Sequence, residues 1–430
     1  MSEHTLMHVT TGSHGVVNRR SFLRTMGAGT AGLAAAGAFG WKEAVTAHAE
    51  ELRKNGMSCI FLFMNGGPSQ FETFDPKPGT TNGGPTRAID TAVSGIQIAE
   101  NWPELARQMK DVALIRSMTN KEGAHPRAIY QMHTGYLPSA SVKYPSLGAA
   151  ISKELGASEF ELPYYVSVGP PIANVAGAGF LGMRYAPFLV ADPNRMPGNS
   201  QLPVSEERFD RRLGLMKDLE EDFAKDAKHA VDEHENVYRG AANLVKSPKL
   251  KAFDLRLEND KLRDDYGRTA FGQGCLLARR LVEERVTFIE VSLGGWDTHQ
   301  DNFERTKTLS QQADKGFATL VADLKSRGLL ERTLVFWLGE FGRTPRINPQ
   351  NGRDHYPRCF SAAIAGGGIK GGQVIGASSA DGTDIKSRPV TVADLFCTVC
   401  SSLKINARKE NVGVRPIKIV DGGTAVKELL

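Results

Sequence analysis

A chain of 430 residues with 53 basic and 48 acidic side chains, a net charge of +5 and 41% hydrophobic residues has the composition of a folded globular protein. Both signs are spread along the chain without a basic block, which argues against nucleic acid as a partner, and the length allows one large α/β domain or two smaller ones. Five cysteines cannot all pair within one chain, so a disulfide framework is not the organising principle.

Asn18-Arg19-Arg20-Ser21-Phe22-Leu23-Arg24 opens the pattern, followed by an uncharged stretch from Met26 to Phe39 and then Ala47-His48-Ala49. A basic region, a short apolar region and an A-x-A site in that order predict a twin-arginine export signal over residues 1–49. The mature chain is then expected to begin near Glu50 and to be periplasmic or otherwise exported, with the twin-arginine export machinery as its early partner. The apolar stretch is shorter than the ~20 residues of a membrane span, so no stable span is expected in the mature form.

The elements after the signal alternate. Cys59–Met64 has the continuous apolarity of a buried strand, Trp102–Met109 that of a helix with Pro103 in its first turn, and Val112–Ile115 that of the next strand. Pro145–Leu155 is predicted to be a helix. Between Ser205 and Val282 the strand signal almost vanishes. There Leu215, Leu219, Phe223, Ala227, Ala230 and Val231 fall at three- and four-residue steps, which predicts one apolar stripe on a charged helix. Residues 205–268 are accordingly expected to form a helical insertion in a domain spanning 50–430, and Thr269–Glu284 to be a core crossover helix. It leads into the strand Val286–Leu293, followed by a helix over Asp314–Arg327 and the strand Thr333–Leu338. Cys397 and Cys400 share one inward face of an amphipathic helix over Val392–Leu403, so core packing is favoured there over redox chemistry or half a zinc site. Cys59, Cys275 and Cys359 are expected to be buried thiols. The glycine-rich run Gly366–Gly372 lacks the ending of a phosphate-binding loop and suits a turn near a sheet edge. Long apolar strands alternating with helices predict an α/β fold with a mostly parallel central sheet and helices on both faces.

In such a sheet ligands bind beyond the carboxyl ends of the strands. Three strands here run into polar glycine loops: Asn65-Gly66-Gly67-Pro68, Gly294-Gly295-Trp296-Asp297-Thr298-His299 and Gly339-Glu340-Phe341-Gly342-Arg343, with Gly352-Arg353-Asp354-His355 a little later. Asp297 and His299, two apart on an extended loop, point to the same side and suit one ion, with Asp301 a further candidate. Carboxylates with imidazoles suit a divalent metal, zinc or manganese before calcium or magnesium.

With Asn65-Gly-Gly-Pro-Ser, His125-Pro126, Trp296-Asp297-Thr-His299, Glu340-Phe-Gly-Arg343-Thr-Pro345 and Arg353-Asp354-His355-Tyr-Pro357, the chain resembles the DUF1501 family of exported bacterial proteins, placed by similarity with the alkaline phosphatase and sulfatase superfamily. The resemblance implies an alkaline-phosphatase-like fold with metal ligands at strand ends. It implies metal ligation by Asp297, His299 and His355, with Glu340 as a further ligand. Asn65 and Phe341 stand where that pattern has a carboxylate and an imidazole, which argues for one ion rather than two. Counting back from Thr134-Gly135 places His125 where a sulfatase carries its modified cysteine, so that mechanism is excluded and His125 is a candidate base, ligand or phosphoryl acceptor. Ser69, Ser117 and Thr119 are further hydroxyls near strand ends. Arg343 and Arg353, with Arg116 and Arg127, are candidates to bind the oxygens of a small anionic ester, or else to pair with the loop carboxylates. The expected function is an exported metal-dependent hydrolase of phosphate or sulfate esters. The alternative is a non-catalytic binding or assembly protein that keeps the fold and a structural metal.

Overall fold

The strand Ser58–Met64 sends Cys59, Phe61 and Phe63 into one hydrophobic core and Ile60, Leu62 and Met64 into another. Alternate side chains of an extended chain point to opposite faces, so a strand apolar at every position belongs to a sheet covered on both sides. The computed structural model describes residues 9–10, 16–17, 56–157, 161–220, 224–412 and 416–430. Two compact units are distinguished, Met1–Gly56 and Met57–Leu430. In the first, Val9–Thr10 and Val16–Val17 pair antiparallel; the rest of the expected export signal lies outside the described residues.

The second unit is built on a nine-stranded sheet. Its strands are β1 (Ser58–Met64), β2 (Val112–Thr119), β3 (Tyr165–Val168), β4 (Phe188–Val190), β5 (Phe288–Leu293), β6 (Thr333–Leu338), β7 (Phe360–Ala365), β8 (Gln373–Ile375) and β9 (Val390–Thr391). They lie in the order β8-β2-β7-β6-β1-β5-β3-β4, with β9 also paired to β2. All pairings are parallel except those of β7. The α/β class read from the sequence is the architecture observed.

The helices are α1 (Pro103–Gln108), α2 (His125–Thr134), α3 (Leu147–Leu155), α4 (Glu206–Glu220), α5 (Ala224–Lys246), α6 (Asp260–Tyr266), α7 (Ala270–Glu283), α8 (Asn302–Ser326) and α9 (Val392–Ser402). Buried residues of α1, α7 and α8 join one core, and those of α2, α3 and α9 the other. All five cysteines are buried free thiols, Cys397 and Cys400 on the inner side of α9. Among the described residues no helix is long and apolar enough to cross a membrane.

Helix α8 begins at Asn302, well before the expected Asp314, because its first turns pack Asn302, Thr306 and Ser310, buried polar residues that carry no apolar signal. The expected single stripe between Leu215 and Val231 is not one helix. Ala227 leaves helical geometry (φ −135°, ψ 43°), and Leu215 and Leu219 are 60% and 73% exposed. Helix α4 buries none of its side chains, and ion pairs from Lys246 to Asp210 and Glu206 tie it to the end of α5. The later part of the expected insertion is different: Tyr266, closing α6, is fully buried and donates to Asp323 on α8 at 2.9 Å.

The parallel order brings the carboxyl ends of β1, β2, β5 and β6 to one edge. The reversed strand β7 begins at that same edge, with Phe360 opposite Met118. A two-residue ladder, Gly342–Arg343 against Tyr356 and His355, carries the chain from β6 toward β7 and sets His355 opposite Arg343. The loops carrying the chemistry are therefore neighbours, though their residues are tens to hundreds of positions apart.

Candidate metal centre

Two glycines let those loops close on one another. Gly66 adopts φ +117°, and a Cβ there would lie 2.5 Å from the Asp297 amide nitrogen. At Gly352 a Cβ would fall 1.8 Å from the His299 carbonyl oxygen. Both contacts are with backbone, so a side chain at either position forces the loops apart.

Three imidazoles converge on one carboxylate oxygen in the space so formed. His299 Nε2 lies 3.1 Å, His355 Nε2 3.3 Å and His125 Nε2 3.4 Å from Asp297 Oδ1. The Nε2 atoms of His299 and His355 are 3.0 Å apart. His125, Asp297 and His355 together offer three ligand atoms all within 4.8 Å of one another. His125 comes from the start of α2, just past β2, and not from a loop of its own.

Each ring is held through its other nitrogen. His125 donates Nδ1–H to Glu340 Oε1 at 2.6 Å, His299 to Asp354 Oδ1 at 2.8 Å, and His355 to the Gly123 carbonyl at 2.8 Å. Carboxylates and carbonyls only accept, which assigns the proton to Nδ1 in all three rings and leaves Nε2 as a lone pair in each neutral imidazole. His125 Nε2 is buried with no hydrogen-bond partner. Three lone pairs and an anionic oxygen aimed at one point form a donor set that suits a divalent cation, with the outer acceptors such ligands require.

The electrostatics of the chain's own groups are set by Arg343 and the two carboxylates, Asp297 and Glu340. Burial works against the charge on Asp297, but the Arg343 guanidinium at 2.6 Å, aided by the nearby imidazoles, holds its carboxyl at about 2. Burial disfavours the charged form of His125, and Glu340 and Asp297 outweigh it and raise its pKa. His355 is lowered, chiefly by burial. Phe341, fully buried, packs its ring 4.9 Å from that of His125 and 4.6 Å from that of His355, an apolar floor beneath both.

Of the remaining residues singled out in the sequence, Arg343 reaches Asp297 Oδ1, at 2.6 Å, and the others lie off this point. The Glu340 carboxylate is buried behind His125, where Oε1 and Oε2 lie 3.0 and 3.2 Å from the Gly66 amide. Arg343 is fully buried: Nε donates to the Gly67 carbonyl and Nη1 to that of Arg353, and Nη2 is shared by the Gly66 carbonyl and Asp297. The structure does not bring Arg353 to the cluster. Its guanidinium is buried against the Phe71 ring, bonded to the carbonyls of Thr344, Pro345 and Asn82 and to Glu72 at 2.9 Å. Arg116 donates to the carbonyls of Phe74 and Gln97, and Arg127 to Glu122. Ser69 is buried, and Ser117 donates to the Arg388 carbonyl at 2.6 Å. Gly123 carries no sequence signal, because a backbone acceptor leaves no trace in residue type.

Residues 57–430 match the model of the family described as "Protein of unknown function (DUF1501)". The chain belongs to the DUF1501 family. No curated protein matches it in sequence. In structure this DUF1501 chain is similar to a sulfatase from Pseudoalteromonas sp. (14% identity, TM-score 0.40, covering 84% of this chain and 70% of that one). It is also similar to the phosphonate monoester hydrolase of Agrobacterium radiobacter (11%, 0.39, 87% and 77%) and to a protein in the alkaline phosphatase superfamily from Vibrio parahaemolyticus (13%, 0.37, 82% and 67%).

Proposed function

We propose that this DUF1501 protein is an exported metal-dependent hydrolase of phosphate or sulfate esters, with one divalent cation, zinc or manganese, held by Asp297, His125, His299 and His355. The observation that carries this reading is the convergence of three Nε2 atoms on Asp297 Oδ1 within 3.1–3.4 Å. A cation there supplies Lewis-acid polarisation of an ester oxygen and activation of water, so that no protein nucleophile is needed. Export rests on the Arg19-Arg20 segment and the Ala47-His48-Ala49 site, and the ester class on the motif resemblance.

The chain's own groups have separate tasks. Asp297 stays anionic through the physiological range because Arg343 holds it, and it offsets the charge of the cation. Asp354 and the Gly123 carbonyl keep the His299 and His355 rings turned with Nε2 inward. The side chains of Asp297 and His299 are 47% and 43% exposed, which leaves an open side for an ester to approach. Arg343 and the two Nη groups of Arg353 have their donors committed to the chain itself, so their part is to fix the loops.

Metal analysis of the purified protein, wild type and Asp297→Ala, tests the reading. Stoichiometric zinc or manganese in the wild type and its loss in the variant are expected. A wild type without metal removes the hydrolase mechanism. Metal present without turnover of any aryl phosphate or sulfate favours the binding or assembly role.

A further inference from the structure

Glu340 lies two residues past the end of β6, at the position where the sequence pattern sets a ligand, yet its carboxylate is turned away from the point where the Nε2 atoms meet. It meets His125 at Nδ1, the opposite edge of the ring from Nε2. Oε1 accepts from both His125 Nδ1 at 2.6 Å and the Gly66 amide at 3.0 Å. The side chain is 0% exposed, and it joins three segments: its own loop after β6, the turn after β1 and the start of α2. The other two imidazole partners are weaker by chemistry or by setting. Asp354 is 58% exposed to competing water, and Gly123 offers a neutral carbonyl. A charged acceptor out of water makes the strongest hydrogen bond of the three.

We infer that Glu340 is the positioning residue of the metal centre: it fixes His125 as the Nδ1–H tautomer and makes its Nε2 the most electron-rich of the three imidazole donors, without itself binding the cation. The inference rests on the reading of the cluster as a metal centre. A carboxylate hydrogen-bonded to the far nitrogen of a ligating imidazole raises the basicity of that ligand, and loss of such a partner typically costs 10–100-fold in metal affinity. The three rings share one tautomer but are unequal donors, and the variants should be graded accordingly.

Cobalt(II) is the probe, since its visible bands report the number and kind of ligands. The purified protein, freed of metal with a chelator, is titrated with cobalt(II) as wild type, Glu340→Gln and Asp354→Asn. Glu340→Gln is expected to bind roughly 10–100-fold more weakly with bands unchanged in position and intensity, and Asp354→Asn within about threefold of wild type, as suits an exposed, screened partner. Bands altered in Glu340→Gln would make Glu340 a ligand and overturn the assignment, as would an affinity unchanged within twofold. Should that variant fold poorly, ¹⁵N spectra of the zinc-loaded wild type serve instead. They should show His125 protonated at Nδ1 and ligated through Nε2, and ligation through Nδ1 would overturn the assignment. A wild type that takes up no cobalt overturns the metal-centre reading itself, and the role of Glu340 falls with it.

Discussion

His299 and His355 present their Nε2 atoms to each other at 3.0 Å, while the Nδ1 of each is already bonded to an acceptor. Two lone pairs at that distance repel unless a proton or a cation lies between them. The folded chain therefore holds these rings in an arrangement that becomes favourable only when a positive charge is shared.

Added metal should then stabilise the fold. A ligand at a hundredfold excess over its Kd contributes about 2.7 kcal/mol, which for a chain of this size is a rise in Tm on the order of 3–5 °C. Thermal unfolding with zinc or manganese against chelator should show this rise in the wild type and none in Asp297→Ala. Equal Tm values in the wild type under the two conditions would contradict a preformed site.

Gly352→Ala should separate site from fold. The new methyl meets the His299 carbonyl at 1.8 Å, a backbone contact that no rotamer change relieves, so the two loops must move apart. Overpacking of this kind costs roughly 1–3 kcal/mol, well within what a large domain tolerates. Metal affinity should drop by more than about tenfold because His299 is displaced, while circular dichroism stays native. Full affinity in a folded Gly352→Ala protein would mean that His299 does not ligate.

Much of this architecture was legible in the chain. The run Cys59–Met64 was readable because a strand covered on both faces needs apolar residues at every position, and both cores do use it. That Asp297, His299 and His355 would lie together was legible because each follows glycines in a loop beyond the sheet. Leu215 and Leu219 mislead by their spacing: α4 is tied to the molecule through Lys246, Asp210 and Glu206, and charges that far apart in sequence carry no period to read. The placement of His125 Nε2 beside Asp297 depends on the antiparallel register of β7 against β2, set by pairings such as Phe360 with Met118. No local pattern encodes that register.

Arg353 should prove a stability residue. Its buried ion pair with Glu72 at 2.9 Å lies between carbonyl acceptors and the Phe71 ring, so removing the guanidinium strands a buried carboxylate. Breaking such a pair costs about 3–5 kcal/mol. Arg353→Met is expected to lower the denaturation midpoint strongly, and whatever protein remains folded should bind metal as the wild type does. A normal midpoint with lost metal binding would instead place Arg353 in the centre.

Stability should also carry a pH signature from a second buried network. His133 Nε2 lies 3.3 Å from Glu290 Oε1, its Nδ1 donates to the Ile129 carbonyl at 2.7 Å, and Tyr165 donates to Glu290 Oε2 at 2.5 Å. Burial disfavours a charge on His133, but Glu290 more than compensates and its pKa is raised. The sign follows. A histidine raised on folding contributes stability that is fully present below its unfolded value of about 6.5 and is lost as pH rises through the folded value. Glu290→Gln removes the cause of the shift. Between pH 5.5 and 9, denaturant midpoints should therefore fall more steeply for the wild type than for Glu290→Gln, with the gap narrowing toward alkaline pH. A gap that stays constant across that range would mean His133 is neutral throughout and that Glu290 acts only as the acceptor for Tyr165.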